Sequence, residues 1–171
     1  MGHAMDSVEL TPATIRFSAM NFLAMREHSI SELTLKLQQK FNNTELFKSK
    51  EFSSCFECIA AVIQKLAEEG LQSDIRFTEA FIIMRQRQGK GPLIIRLELK
   101  ERGISNDSIT KYINTSDETW NQLAVKVYIK KFGDQAALDI KQRSKQIRFL
   151  TARGFSLANI QSALKYIEEK E

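Results

Sequence analysis

The octapeptide Arg-Gly-Ile-Ser-Asn-Asp-Ser-Ile at 102–109 returns as Arg-Gly-Phe-Ser-Leu-Ala-Asn-Ile at 153–160, an offset of 51 residues. Each copy reads as a helix stop followed by a helix start. The glycine sits where a helix ends in the left-handed region, the bulky apolar residue plugs the turn, and the serine caps the next helix. Leu99 and Leu150 occupy matching places in the helices before the stop. A repeated capping signal of this kind points to tandem helical units rather than one irregular domain.

The rest of the chain agrees with that reading. Only two prolines and seven glycines punctuate it, and no strand-like alternation appears. Ile15, Ala19, Phe22, Leu23 and Arg26 step along a first helix. Leu33 and Leu37 anchor a second, opened by Ser29 or Ser31 with Glu32 in its first turn. Phe56, Ile59, Ala60, Ile63 and Leu66 define a third that stops at Gly70, and Phe77, Phe81 and Met84 open a fourth. Pro92 starts a fifth in the first turn, where a missing N–H is harmless. In that helix Leu93, Ile94 and Leu97 are expected to face inward. Ser105 caps a sixth through Ile109 and Ile113.

The expected fold is therefore all-α, with three tandem three-helix repeats. Residues 1–14 form an N-terminal tail, in which Gly2-His3-Ala4 reads as a cloning remnant. The repeats cover 15–73, with an insertion at 42–54, then 74–116 and 117–171. The third runs from Asp117 through Ala124, Val127 and Tyr128 to Phe132. A unit of about 50 residues buries little by itself, so the units are expected to stack into an elongated, curved body.

Several function classes are disfavoured. No apolar run approaches the ~20 residues of a membrane span, and the N-terminus has no long apolar signal segment. A cytoplasmic protein without membrane contact is expected. Cys55 and Cys58 form the only cysteine pair, too few for a four-cysteine zinc site, and read as ordinary thiols on a helix starting near Phe56. Gly89-Lys90-Gly91 lacks the G-x-x-x-x-G-K-[ST] spacing and the preceding strand of a phosphate loop. It reads as a connector between helices. No nucleophile–base–carboxylate set or metal cluster emerges, so neither an enzyme nor a cofactor is expected. No heptad run argues for a dimer, and a monomer is expected.

Charge is distributed unevenly. Residues 85–102 hold six cations and two anions, and residues 126–153 hold eight and two. Such clusters face either phosphates or the carboxylates of a protein groove. The contact candidates are Arg76, Arg85, Arg87, Lys90, Arg96 and Lys100, with a second stripe of Lys141, Lys145 and Arg148 at i, i+4 and i+7. Arg85 and Arg87 also end a helix, where cations complement the dipole. A helix-turn-helix repressor is the alternative. Its reading helix would be the segment at 105–114, which carries only Lys111 as a cation.

Three segments resemble the bacterial RecX regulators of the RecA recombinase: AMNFLAMREHSISELTLKL (19–37), DIRFTEAFIIMRQRQGKGPLIIRLELKERGIS (74–105) and RFLTARGFSLANIQSAL (148–164). Arg76-Phe77, Phe81, Arg85, Gly91-Pro92, Ile95, Glu98-Leu99 and Gly103-Ile104 follow the family pattern in order. The sequence departs from it before Phe41, where the glycine is missing, and at Leu71 and Ser73. The resemblance implies three three-helix repeats. It also implies a non-enzymatic modulator that binds RecA filaments on DNA and suppresses ATP hydrolysis, strand exchange and co-protease activity. Weak contact with single- or double-stranded DNA is implied as well.

Overall fold

The computed structural model describes residues 11–42 and 52–170, with side chains described from residue 56 in the second segment. The described residues form helices without a strand. They divide into two compact units, one up to Phe77 and one from Thr78 onward.

In the first unit, α1 spans Pro12–Met25, α2 Ile30–Phe41 and α3 Phe52–Glu68. Thr11 caps α1 in a reciprocal box with Thr14, and Pro12 takes the first position, so the helix starts three residues before Ile15. Ser29 caps α2 by accepting from Glu32 N at 3.1 Å, which places Glu32 at the positive helix end. Ile15, Ala19, Leu33, Leu37, Phe41, Ile59, Ile63 and Leu66 form one core. Each of the larger side chains among them contributes roughly 1.5–3 kcal/mol by leaving water. Ala60, expected on this face, is exposed. α3 begins at Phe52, so the segment expected as an insertion through residue 54 ends earlier. Cys58 is half-buried against this core as a free thiol. The side chain of Cys55 lies outside the described residues.

The first unit closes on a polar knot. Gln72, buried, donates to the His28 carbonyl at 3.1 Å and to Asp74 at 2.8 Å. Asp74 also accepts from Ile30 N at 2.9 Å. His28 is buried, and its Nδ1–H donates to the Arg26 carbonyl at 2.9 Å. Burial holds its pKa below the usual 6.5, with the neighbouring Arg26 charge acting the same way against that hydrogen bond. Just below pH 6.5 the unfolded chain therefore binds more protons than the folded one. Stability contributed by neutral His28 is present above about pH 6.5 and declines as pH falls through the lowered value. The expected result is a urea midpoint that begins to drop as pH falls below about 6.5, and a flatter profile there in His28→Gln.

In the second unit, α4 (Asp74–Arg87, which begins in the first), α5 (Pro92–Glu101) and α6 (Asn106–Tyr112) precede α7 (Glu118–Phe132), α8 (Ile140–Ala152) and α9 (Leu157–Glu168). The two copies of the repeated octapeptide adopt one conformation. Gly103 and Gly154 have φ of 79° and 86°. Ile104 N donates to Leu99 O at 3.1 Å, and Phe155 N to Leu150 O at 3.2 Å. Ser105 and Ser156 then cap the following helices by accepting from Ser108 N and Asn159 N. Ala124, Tyr128, Leu150, Phe155, Ile160, Ala163, Leu164 and Ile167 make the core of α7, α8 and α9. Trp120 is also buried, its indole N–H donating to the Asn114 carbonyl at 2.9 Å.

Leu93 and Leu97 point outward, at 49% and 57% exposure, while Ile95 and Leu99 fill the core. The inward reading of those leucines is thereby corrected. Pro92 and Gly91 decide the rotation of α5, because its first turn is held by another turn. Gly91 N donates to the Arg153 carbonyl at 2.7 Å and Leu93 N to the Gly154 carbonyl at 3.0 Å. Gly91 has no side chain to cap α5. Carbonyls at the end of α8 satisfy the donors instead, and the negative end of one helix meets the positive end of the other. This approach requires glycine on both sides. A Cβ on Gly91 would lie 2.5 Å from Phe155 N, and a Cβ on Gly154 would lie 2.7 Å from Ile94.

Candidate functional site

The Gln86–Gly89 end of α4 stands against α7 and the end of α8 around a cavity of about 500 Å³. Gly89 makes the approach possible. Its φ is 71°, and a Cβ there would meet Val127 Cγ2 at 2.9 Å. Leu123, Val127 and Phe149 supply the apolar floor. Arg87, Lys126, Lys130, Lys131 and Arg153 supply the rim, and no carboxylate is among the described residues that line the cavity. Lys126 and Lys130 are one turn apart on α7 and share a face.

Arg153 is fixed in place. Its Nη1 donates to the Gln88 carbonyl at 3.0 Å, and its guanidinium lies 5.2 Å from the Phe149 ring centre. Phe149 in turn meets Phe132 edge-on at 5.3 Å. The other cations are exposed and are held in no ion pair among the described residues. Like charges gathered over an apolar floor repel one another, and an anionic occupant relieves that repulsion.

The residues expected from the sequence take different places. Arg87 is in this groove. Lys90 is half-buried in the connector beside it. Arg85 is held by Glu98 through two hydrogen bonds and by Gln88 at 2.6 Å. Arg96 reaches the Ile113 carbonyl at 3.0 Å and Thr110 Oγ1 at 3.3 Å, tying α5 to the end of α6. Arg76, in the first unit, pairs with Glu27 at 2.7 Å and bonds the Leu71 carbonyl. Lys100, Lys141, Lys145 and Arg148 are exposed. Lys145 lines a separate cavity of about 330 Å³ with the buried Gln146, whose Oε1 has no hydrogen-bond partner among the described residues. Arg143 pairs with Glu168.

Lys126, Lys130, Lys131 and Arg153 were not singled out from the sequence. The signal was available in part: all four belong to the basic segment 126–153, and Lys126 and Lys130 have helical spacing. What sequence could not show is that α7 and the α4 end converge. Among the described residues no cluster of His, Cys, Asp or Glu could hold a metal, and no helix is long and apolar enough to cross a membrane.

The described architecture defines an all-helical protein of three-helix units with a cationic groove. Residues 73–113 match the family model for the second three-helix domain of RecX, and residues 117–164 the model for the third. The regulatory protein RecX of Pseudomonas entomophila is 38% identical over 156 residues, covering 91% of this chain and 93% of that protein. That of Pseudomonas syringae pv. tomato is 37% identical over 153 residues, covering 90% and 91%. The crystal structure of RecX from Lactobacillus salivarius superposes with a TM-score of 0.70 at 19% identity, covering 92% of this chain and 97% of that one. The chain belongs to the RecX family.

Proposed function

We propose that this chain is a non-enzymatic modulator of the RecA recombinase, binding RecA filaments on DNA and suppressing ATP hydrolysis, strand exchange and co-protease activity. The observation that carries this reading is the similarity to proteins named regulatory protein RecX along nine tenths of the chain. The cationic surfaces of the second unit support it, since a nucleoprotein filament offers both carboxylates and phosphates. Action as a monomer in the cytoplasm belongs to the same proposal. The repressor alternative has less support, because α6 is only seven residues long and carries one cation, Lys111.

The test is single-strand-DNA-dependent ATP hydrolysis by RecA with this protein titrated in below RecA's concentration. Hydrolysis is expected to fall at substoichiometric amounts, with excess DNA making no difference. Lys141→Glu with Lys145→Glu is expected to raise the concentration for half-inhibition on the order of tenfold. Unchanged hydrolysis, or a loss cured by added DNA, overturns the reading in favour of a DNA competitor. Unchanged inhibition by the paired variant removes that stripe from the contact surface.

A further inference from the structure

Resting on that reading of a protein-directed regulator, we propose that the groove between the end of α4, α7 and α8 docks an acidic peptide segment that carries a large apolar side chain. Charge complementarity selects the acidic flanks. The rim holds Lys126, Lys130 and the pre-oriented Arg153, with no carboxylate among the described lining residues. The floor selects the apolar anchor. Leu123, Val127 and Phe149 leave apolar surface at the bottom of a cavity of about 500 Å³, a size suited to one bulky side chain and its neighbours. Burying that side chain contributes contact energy that a phosphate chain cannot supply.

A nucleic acid strand is the competing occupant, and the floor disfavours it. Sequence-tolerant strand binding relies on open aromatic faces for stacking bases. The Phe149 ring is already engaged, with the Arg153 guanidinium 5.2 Å from its centre and the Phe132 ring edge-on to it. A phosphate backbone alone uses only the rim. The mode expected is therefore cationic clamping of carboxylates around an anchored side chain, with the rim setting encounter rate and the floor setting residence time.

The experiment is fluorescence anisotropy with the full chain and three probes. One is a labelled peptide with Leu-Phe flanked on both sides by Glu and Asp. The second replaces Leu-Phe with Ser-Ser, and the third is labelled oligothymidine. The first peptide is expected to bind about tenfold more tightly than the second. Lys126→Glu with Lys130→Glu, both exposed on α7, is expected to weaken it by a further factor of about ten with thermal unfolding unchanged. Equal affinity for the two peptides overturns the anchor, and that comparison needs no variant. Indifference to the charge reversal, or oligothymidine binding lost in the variant while neither peptide binds, overturns the docking site itself. RecA is absent from this assay. Its failure leaves the ATP-hydrolysis result standing, and the reverse also holds.

Discussion

Gly154→Ala is expected to destabilise the chain by about 3 kcal/mol or more, and Gly70→Ala by only about 1 kcal/mol, in urea unfolding monitored by circular dichroism. Both glycines have positive φ, at 86° and 71°. Forcing a Cβ into the left-handed region costs about 1–2 kcal/mol at either site. At Gly70 none of the described residues lies within 4 Å of the added carbon. At Gly154 the carbon would sit 2.7 Å from Ile94 N, Cβ and Cγ1. Relieving that overlap moves the turn off α5 and adds roughly 1–3 kcal/mol of overpacking. The hydrogen bonds from Gly91 N and Leu93 N to the Arg153 and Gly154 carbonyls then lengthen, and their donors are uncapped. Gly91→Ala is expected to behave like Gly154→Ala although its φ is an ordinary −84°. Its added carbon meets the facing backbone itself. Equal losses at Gly70 and Gly154 would remove close approach as the reason for glycine at Gly154.

Phe155→Ala is expected to lower stability by about 3–5 kcal/mol, the range for truncating a fully buried aromatic side chain. Phe155 is 1% exposed and lies in the core with Leu150, Tyr128 and Ile160. It is the plug of the turn: its N–H bonds the Leu150 carbonyl, and its side chain belongs to the same core as Leu150. Two residues later Leu157 is 65% exposed. Leu157→Ala is expected to stay within about 0.5 kcal/mol of the parent. The measurement is again the urea midpoint, with the slope checked for unchanged cooperativity. A Phe155→Ala loss no larger than that of Leu157→Ala would mean that the plug contributes nothing and that the glycine and serine alone hold the turn.

The cations divide into those that hold the fold and those that remain open to a partner. Arg85 and Glu98 make a paired, partly buried contact, with side chains 21% and 19% exposed. Arg102 covers the Phe81 ring at 4.6 Å and bonds the Glu98 carbonyl. Variants at Arg85 or Arg96 therefore report on folding before they report on a partner. The exposed lysines of α7 and α8 are the cleaner probes of binding, because little internal packing is lost with their charge.

Much of the fold was legible from short-range chemistry. A helix stop needs only a glycine and the few residues around it, and a helix start needs a serine or aspartate three residues before the donor it satisfies. These signals lie within one turn of chain, so Gly103, Gly154, Ser105 and Ser156 could be read directly, and the family pattern with them. The side chains on α5 were less legible. Leu93, Ile94, Ile95, Leu97 and Leu99 are all apolar and close in sequence, so period alone does not choose Ile95 and Leu99 as the buried pair. The Gly91–Gly154 contact chooses it by rotating the helix. Whether Arg85, Arg96 or Lys126 is free also depends on partners such as Glu98 and the Ile113 carbonyl, 13 and 17 residues away in sequence.

The sequence by itself determined the helical class, the repeated glycine stops with their serine caps, and the family, because each of those rests on local capping and periodicity. Only the tertiary structure decided which arginines are fixed struts, why Gly91 cannot carry a side chain, and that Arg87, Lys126, Lys130, Lys131 and Arg153 share one groove. Those outcomes depend on backbone approach and charge pairing between distant segments, and neither leaves a mark at any single position.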